Sequence, residues 1–287
     1  MLYGAHVSVA GGISTAIDRA EELGCDAVQV FTQSPRMWRP TNHVPEELER
    51  FRARRAETGI GYVVCHALYL VNLAASDREI HKKSVEAMRA SLETAAEIEA
   101  DGVVFHVGSH LGDGLEKGLR RALRPLRGLL ELTDERLWLI VENSAGAGGT
   151  IGRSVEELGT IVDALDGHRR VGVCIDSCHL WVSGVDVGDP AALDAALEEL
   201  DGAVGLDRLR CLHLNDADAE LGSNRDRHAT MGAGRIGARL GTFLAHPAFQ
   251  GLPAILETPG PDGYANELKL LRELHKRGRR RRPKRWK

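Results

Sequence analysis

No apolar run in this sequence approaches the roughly 18 residues that a membrane-spanning helix needs. The first six residues, from Met1 to His6, also lack the basic stretch followed by an apolar one that marks a secretory signal. We therefore expect a cytoplasmic protein that has no membrane partner.

Cysteine is scarce, and its pattern argues against a disulfide framework. The chain has five cysteines, an odd number, and none of them forms a Cys-x-x-Cys pair. Cys174 and Cys178 flank Asp176, so a thiolate metal ligand is one alternative at this position. We instead expect the cysteines to be small buried apolar residues, because histidines and carboxylates supply enough ligands elsewhere.

The charge of the chain is unevenly distributed. Of its 287 residues, 43% are hydrophobic and 27% are charged, as in a globular protein with a large core, and the net charge is −4. Residues 276–287 hold nine lysines or arginines, which leaves 28 basic against 41 acidic residues, or −13, for the remainder. We expect a single domain over residues 1–275 and a disordered basic tail over 276–287. Nucleic acid is the usual partner of such a tail, and a merely solvated end is the alternative.

Eight short segments are rich in Val, Ile and Leu and do not alternate with polar residues. This pattern is typical of parallel strands that are covered on both faces. The predicted strands are Leu2–His6, Ala27–Phe31, Gly61–Cys65, Val103–His106, Leu137–Glu142, Val171–Asp176, Leu209–Leu214 and Pro253–Glu257.

The segments between these strands carry helical signals. Val85, Met88, Leu92 and Ala95 recur at three- and four-residue steps, which gives one apolar face. The segment 154–157, Ser-Val-Glu-Glu, is a capping-box pattern. Eight strand–helix alternations over this length predict an α/β fold of the (β/α)₈ TIM-barrel type. An open doubly wound sheet is the alternative.

Six consecutive predicted strands end on or next to a histidine or a carboxylate. In a barrel the carboxyl ends of all strands surround one mouth, where active sites are built. His179 lies three residues beyond the end of the sixth strand, and the loop after the seventh adds Asp226 and His228, so we expect nine side chains to meet there. They are His66, His106, Glu142, Asp176, His179, His213, Asp226, His228 and Glu257.

Each of these residues alone has an ordinary structural explanation, as a hydrogen-bonded loop residue or a helix cap. Together, five imidazoles and four carboxylates would desolvate and repel one another unless cations lay between them. Imidazole and carboxylate are ligands suited to Zn²⁺ or Mn²⁺. The nine residues suffice for three ions if one carboxylate bridges two of them.

The charge of such a centre favours an anionic substrate. Three divalent ions and four carboxylates sum to about +2, and closely spaced ions of this kind assist in-line displacement at a phosphate. Hydrolysis of a phosphate ester is therefore the expected chemistry.

One competing motif lies downstream. Residues 232–237, Gly-Ala-Gly-Arg-Ile-Gly, fit the dinucleotide-binding pattern G-x-G-x-x-G. That pattern requires a hydrophobic strand directly before it, and residues 225–231 do not form one. We expect these glycines to shape the loop that positions Asp226 and His228.

Six segments of the chain together resemble the endonuclease IV family of apurinic/apyrimidinic endonucleases, over residues 2–275. The matching segments are Gly4-Ala5-His6-Val7-Ser8, Glu142-Asn143-Ser144-Ala145-Gly146, Cys174-Ile175-Asp176-Ser177-Cys178-His179, His213-Leu214-Asn215-Asp216, Gly222-Ser223-Asn224-Arg225-Asp226-Arg227-His228 and Glu257-Thr258-Pro259-Gly260.

The resemblance implies a monomeric enzyme of the deoxyribonuclease IV (phage-T4-induced) type with three zinc ions, although Mn²⁺ at one or more sites stays open. Its substrate would be double-stranded DNA with abasic sites or blocked 3′ ends. Cleavage would occur 5′ to the abasic nucleotide and leave a 3′-hydroxyl and a 5′-deoxyribose phosphate, and blocked 3′ ends would be trimmed. By resemblance, the three ligand sets are His66, His106 and Glu142; Glu142, Asp176, His213 and Glu257; and His179, Asp226 and His228.

The resemblance also assigns roles in catalysis and DNA binding. Glu142 would be the catalytic residue, as a bridging ligand that could also orient the nucleophile. Arg36, Tyr69 and Leu70 map to the residues with which the family invades the duplex. Taken alone, Tyr69 and Leu70 would be explained by loop packing and Arg36 by a surface charge.

Two alternatives remain from the sequence. A metal-dependent sugar isomerase or epimerase of the same barrel type would also place histidines and carboxylates at the mouth, but it has no use for His179, Asp226 and His228. A non-catalytic DNA-binding or scaffold protein would explain the basic tail, but such a protein would be expected to have lost ligands.

Overall fold

Eight parallel strands close into a barrel in the structure, a computed structural model that describes residues 1–258 and 263–286. The first barrel strand pairs with the second and with the last, which completes the circle. The strands are β1 (Leu2–His6), β2 (Ala27–Phe31), β3 (Tyr62–His66), β4 (Gly102–Phe105), β5 (Trp138–Glu142), β6 (Val171–Asp176), β7 (Leu209–Leu214), β8 (Asp216–Ala217), β9 (His228–Ala229) and β10 (Pro253–Leu256). β8 and β9 form a separate antiparallel ribbon, and the other eight confirm the predicted barrel.

Helices lie between the barrel strands, so both faces of the sheet are covered. They are α1 (Thr15–Glu22), α2 (Pro45–Glu57), α3 (Arg78–Glu97), α4 (Leu115–Leu130), α5 (Val155–Ala164), α6 (Ser177–Ser183), α7 (Pro190–Ala203), α8 (Leu240–Ala245) and α9 (Tyr264–Arg281). The cap expected before α5 forms, since the Ser154 hydroxyl accepts the Glu157 amide at 3.2 Å. Glu157 reaches back to the amide of Gly152, at 2.8 Å, rather than to Ser154 itself.

The inside of the barrel is filled with small and branched side chains that are fully buried. They are Ala27, Val64, Val104, Ile140, Cys174, Cys211 and Ile255. There is no room for more, because a Cβ added to Gly4 would lie 2.3 Å from the carbonyl oxygen of Ala27. The barrel is therefore a packed core, and a site for chemistry has to lie at one of its ends.

The basic C-terminal segment differs from the expected disordered tail. α9 continues to Arg281, and the side chain of Trp286 is buried. Nε1 of Trp286 donates a hydrogen bond of 2.6 Å to Asp194 in α7, which also pairs with Arg285. These contacts hold the segment against the barrel and compensate for its like charges.

Three residues of predicted segments, Pro259, Gly260 and Lys287, lie outside the described residues. Within the described part of the chain, no helix is both long and apolar enough to cross a membrane.

Candidate metal centre

The nine predicted ligands all follow or end barrel strands on the same side. His66, Glu142 and Asp176 are the last residues of β3, β5 and β6, and His213 is the penultimate residue of β7. His106 and Glu257 directly follow β4 and β10, His179 lies in the first turn of α6, and Asp226 and His228 lie in or beside the ribbon that follows β7. Because parallel strands share one carboxyl edge, the fold brings these residues to one mouth.

Glu142 lies at the centre of the group, and its side chain is 1% exposed. Its Oε2 is 3.2 Å from Nε2 of His66 and 3.2 Å from Nε2 of His106. Its Oε1 is 3.2 Å from Nδ1 of His179 and 3.0 Å from Nδ1 of His213. One carboxylate thus faces four imidazoles, two at each of its oxygens.

A second part of the group is built around His213. Its Nδ1 lies 3.1 Å from Oε2 of Glu257, besides its approach to Glu142. Asn215 links Asp176 to Glu257, since its amide nitrogen is 2.5 Å from Oδ2 of Asp176 and 3.4 Å from Oε2 of Glu257. The oxygen and nitrogen ligands of Glu142, Asp176, His213 and Glu257 therefore form a compact set.

The third part is the most open to solvent. Asp226 lies between two imidazoles, with Oδ2 3.4 Å from Nε2 of His179 and Oδ1 3.2 Å from Nε2 of His228. The ligand atoms of these three residues all lie within 4.8 Å of one another. His179 also faces Glu142, so the third set is continuous with the first two.

Hydrogen bonds outside the centre determine which ring nitrogen faces inward. Nδ1 of His66 lies 2.7 Å from the carbonyl oxygen of Ala67, and Nδ1 of His179 lies 2.8 Å from that of Asn143. A carbonyl oxygen can only accept, so these nitrogens carry the protons. The opposite nitrogens of the neutral rings therefore direct lone pairs at the carboxylates, which is how metal-ligating histidines are oriented.

Several polar atoms of the centre are buried without a hydrogen-bond partner among the described residues. They are Oε1 of Glu142, Nε2 of His179, Nδ1 of His213 and Nε2 of His228. Buried polar atoms are nearly always satisfied, so such a cluster calls for a missing partner. Imidazole nitrogens and carboxylate oxygens together are a donor set for Zn²⁺ or Mn²⁺, and the residues present fit these ions.

The same atoms attract cations electrostatically. Burial is the largest influence on the histidine pKa values and lowers them, but neighbouring carboxylates raise the pKa of His179 well above its usual value and that of His228 to about 9. At His106 burial prevails and the pKa is lowered. Burial would raise the pKa of Glu142, yet the surrounding imidazoles hold it well below its usual range. The carboxylates stay ionised, and positive charge collects between them.

Gln29, in the middle of β2, is a supporting residue that sequence reasoning missed. Its amide nitrogen donates to Oε1 of Glu257 at 2.5 Å and also lies 2.9 Å from Nδ1 of His6. Its oxygen lies 2.9 Å from Nε2 of His213 and accepts the proton there. Gln29 thereby orients two ligands at once. The available signal was a lone amide in an otherwise apolar strand, Ala-Val-Gln-Val-Phe.

The glycines of the G-x-G-x-x-G segment surround the side chain of Asp216, which is fully buried. Its two carboxylate oxygens accept the amides of Gly232, Gly234, Ile236 and Gly237 at 3.0–3.1 Å. The backbone amides of this segment thus bind an internal carboxylate of the chain. Asp216 also belongs to β8, whose pairing with β9 holds His228, so the glycines help to position a ligand.

The three residues predicted to contact DNA lie on loops after β2 and β3. Tyr69 is 64% exposed, and its ring centroid lies 6.3 Å from that of His66. Tyr69 and Leu70 line a cavity of 680 Å³ that His106, His179 and Asp226 also line. Arg36 is exposed on the loop after β2 and is not among the residues that line this cavity.

Comparisons with known proteins agree over almost the whole chain. Residues 17–274 match the model of the family described as xylose isomerase-like TIM barrel. A protein named "Probable endonuclease 4" from Halorhodospira halophila is 41% identical over 273 residues, or 94% of this chain and 92% of the relative. One of the same name from Chloroflexus aggregans is 39% identical over 277 residues, or 95% and 97% of the two chains.

Solved structures give the same fold. The crystal structure of endonuclease IV from Thermus thermophilus superimposes with a TM-score of 0.86 at 38% identity and covers 96% of this chain and 100% of that one. A D-tagatose 3-epimerase-like protein superimposes with a TM-score of 0.76 at 19% identity, over 98% and 99% of the two chains. The second likeness concerns the fold alone.

Proposed function

Because this chain belongs to the endonuclease IV family, we propose that it is a zinc-dependent apurinic/apyrimidinic endonuclease of base-excision repair. It hydrolyses the phosphodiester 5′ to an abasic site in duplex DNA, leaves a 3′-hydroxyl and a 5′-deoxyribose phosphate, and trims blocked 3′ ends. It acts as a monomer in the cytoplasm.

The observation that carries this proposal is the set of unsatisfied ligand atoms around Glu142. Four imidazoles face its two oxygens at 3.0–3.2 Å, and Asp226 extends the cluster toward solvent. His66, His106 and Glu142 would hold one zinc; Glu142, Asp176, His213 and Glu257 a second; and His179, Asp226 and His228 a third. Such ions lower the pKa of bound water, and they offset charge on the attacked phosphate and on the leaving oxygen.

The residues of the chain contribute position and charge to this reaction. Glu142 would be the catalytic residue, because its two oxygens could be shared between two of these ligand sets. Gln29 keeps His213 and Glu257 in the orientation that the site needs. No histidine or carboxylate of the nine has to act as a nucleophile, because water attacks and the 3′-oxygen leaves.

DNA recognition rests on the loops beside this mouth. Tyr69 is exposed and adjoins the ring of His66, and Leu70 lines the same cavity. Placed against a duplex, this pair can fill the gap that an extruded abasic nucleotide leaves and so offset the lost stacking. Arg36 supplies a positive charge on the neighbouring loop for a DNA phosphate.

A sugar isomerase or epimerase is the second candidate, because proteins of that kind share the barrel. Such an enzyme needs one or two ions and leaves the cluster of His179, Asp226 and His228 without a purpose. The completeness of that third set at the open side of the mouth favours the nuclease.

The decisive experiment uses protein whose zinc content has been measured and a duplex with one tetrahydrofuran abasic analogue. This analogue cannot undergo β-elimination, so a nick that a polymerase extends means hydrolysis on the 5′ side. An undamaged duplex is the control. If protein that holds three metal ions leaves the analogue uncut, the repair function is wrong and phosphorylated sugars become the next substrates to assay.

A further inference from the structure

A strongly basic surface lies at the end of the barrel opposite to the metal centre. α9 begins beside the mouth, where Glu267 accepts a hydrogen bond of 2.7 Å from Thr258, the residue after Glu257. Farther along the helix, His275 lies 2.6 Å from the hydroxyl of Tyr3, near the amino end of β1. α9 thus runs down the barrel for 18 residues, about 27 Å at 1.5 Å per residue.

The last turns of α9 carry five exposed cations, which we term the basic end patch. They are Lys276, Arg277, Arg279, Arg280 and Arg281. In the part of the chain that the structure describes, Arg277 has an acidic group within 4.0 Å, Glu273 at 3.7 Å, and the other four have none. Favourable interaction with the helix C-terminus accounts for one or two such cations, and a cluster in which four of five lack a counter-charge favours an anionic partner.

The basic end patch is held rigidly and contains a cleft. Gly278 packs so closely on α8 that a Cβ there would lie 1.8 Å from the carbonyl oxygen of Gly241. Beside it, Tyr3, Arg272, His275, Lys276, Arg279 and Arg280 line a cleft of 350 Å³. Arg272 pairs with Asp26 at 3.6 Å, whereas Lys276, Arg279 and Arg280 remain for phosphate groups, which guanidinium binds with two hydrogen bonds.

The apolar surface of the protein argues that this partner is nucleic acid rather than a membrane. Binding to a bilayer surface usually adds buried apolar side chains to the electrostatic attraction. No large hydrophobic residue is exposed on the described part of α9, and Trp286, the aromatic residue nearest in sequence, is buried. The basic end patch offers charge alone, which suits a polyphosphate backbone.

A duplex that occupies the mouth cannot also reach the basic end patch by a smooth path. The two surfaces lie on opposite ends of the barrel, and duplex DNA has a persistence length of about 50 nm. We propose that the basic end patch binds the phosphate backbone of a second nucleic-acid segment, so that one molecule bridges two segments. This proposal depends on the proposed function only for the nucleic-acid segment that binds at the mouth.

The test is a capture assay with the zinc-loaded full chain. Undamaged duplex is immobilised on beads, and a fluorescent duplex with a tetrahydrofuran site is offered, long enough to stay annealed after a nick. The patch variant carries Lys276→Gln, Arg279→Gln and Arg280→Gln. The control variant carries Arg50→Gln, Arg89→Gln and Arg169→Gln, which remove the same charge from exposed positions elsewhere.

We expect the wild type and the control variant to retain the fluorescent duplex on the beads and the patch variant to retain at least about tenfold less. For undamaged duplex, the slope of log affinity against log salt should fall by about 2.7 in the patch variant, since three phosphate contacts are lost. The maximal rate of cleavage at the mouth, measured at saturating substrate, should be unchanged, which also shows that the variant is folded.

Equal capture by the patch variant and the control variant would overturn the proposal. So would binding to phosphatidylserine vesicles that depends on the patch, without any bridging of DNA. Failure of the proposed function would give a different set of results. In that case the wild type cuts no abasic duplex, yet its affinity for undamaged duplex still depends on the patch.

Discussion

Nδ1 of His213 lies 3.0 Å from Oε1 of Glu142, and its other ring nitrogen lies 2.9 Å from the amide oxygen of Gln29. Because Gln29 uses its amide nitrogen to donate to Glu257, its oxygen must accept from His213. A neutral His213 therefore directs a lone pair at a carboxylate oxygen, and the two repel. Only a cation between them, a proton or a metal ion, makes this contact favourable, so the site is arranged for positive charge before any ligand arrives.

Replacing Glu142 with Gln should remove cleavage of the abasic duplex. The amide keeps the shape of the side chain but loses the negative charge that faces four imidazoles and that two of the proposed ligand sets share. We expect kcat to fall by about 10³-fold or more, because a metal ion contributes several kcal/mol to phosphate hydrolysis. Metal per chain, measured by mass spectrometry, should fall as well. Glu135→Gln, at an exposed position, is the control, and full activity of Glu142→Gln would contradict the assignment.

Gln29→Ala should weaken metal binding although Gln29 is not a ligand. The change removes the acceptor for His213 and the donor for Glu257, and loss of such supporting contacts typically costs about 10- to 100-fold in metal affinity or activity. Competition with a zinc-binding dye measures the affinity. Gln29→Glu retains an oxygen that accepts from His213, so this variant should recover part of the lost zinc affinity. An unchanged zinc affinity in Gln29→Ala would show that the contacts are incidental.

Tyr69→Ala together with Leu70→Ala should lower the affinity for abasic duplex without lowering zinc content. Stacking of one base on an aromatic side chain is worth about 1–3 kcal/mol, so Kd should rise about tenfold to 100-fold. Fluorescence anisotropy with abasic and undamaged duplexes checks this, because the loss should be larger for the abasic one. Equal losses on both duplexes would argue for general loop packing instead.

His275→Asn should change how stability depends on pH. Burial, with help from the N-terminal amine, Arg279 and Arg282, lowers the pKa of His275 to about 4. Folded His275 stays neutral while the unfolded chain takes up a proton, so the wild type loses stability as pH falls from about 6.5 to about 4. The difference in free energy of unfolding between wild type and variant should shrink over that window and be constant above it. A difference that is flat from about pH 7.5 to about pH 4 would refute the lowered pKa.

Trp286→Ala should release the end of the chain without unfolding the barrel. The change removes the buried indole and its hydrogen bond to Asp194, and a hydrogen bond to a charged group contributes about 1.5–3 kcal/mol. Cleavage by trypsin after Arg281 should become about tenfold faster or more, while the melting temperature stays nearly constant. Trp286→Phe, which keeps an aromatic ring, should be cut at an intermediate rate. No acceleration in Trp286→Ala would mean that other contacts hold the segment.

Much of the barrel could be predicted because its strands are continuous apolar runs that end abruptly on polar residues. Every predicted strand boundary agrees with the structure within one residue. The same abrupt ends identified six of the nine residues that the structure brings together at the mouth, and the segments that follow the sixth and seventh strands supplied His179, Asp226 and His228. Local sequence suffices for such features, since parallel strands share one carboxyl edge.

Features that depend on contacts across the chain escaped prediction. The order of the C-terminal segment depends on Trp286 and Asp194, which lie 92 positions apart, and the sequence of the segment alone shows only repelling charges. Gln29 was missed because its partners His213 and Glu257 lie 184 and 228 positions away in the sequence and meet it only when the barrel closes. The DNA contacts of Arg36, Tyr69 and Leu70 stay predictions, since they depend on how a duplex would lie on the loops beside the mouth.

The basic end patch also makes the molecule an electric dipole. Residues 276–287 carry nine positive charges and the remainder of the chain sums to −13, so the positive pole lies toward the end of α9. In the field of a polyanion, a freely diffusing molecule rotates until its positive pole leads. We therefore expect first encounters with DNA at the end of α9, with the catalytic mouth turned away. Salt shortens the reach of this field to about 8 Å at 0.15 M and abolishes the preferred direction of approach.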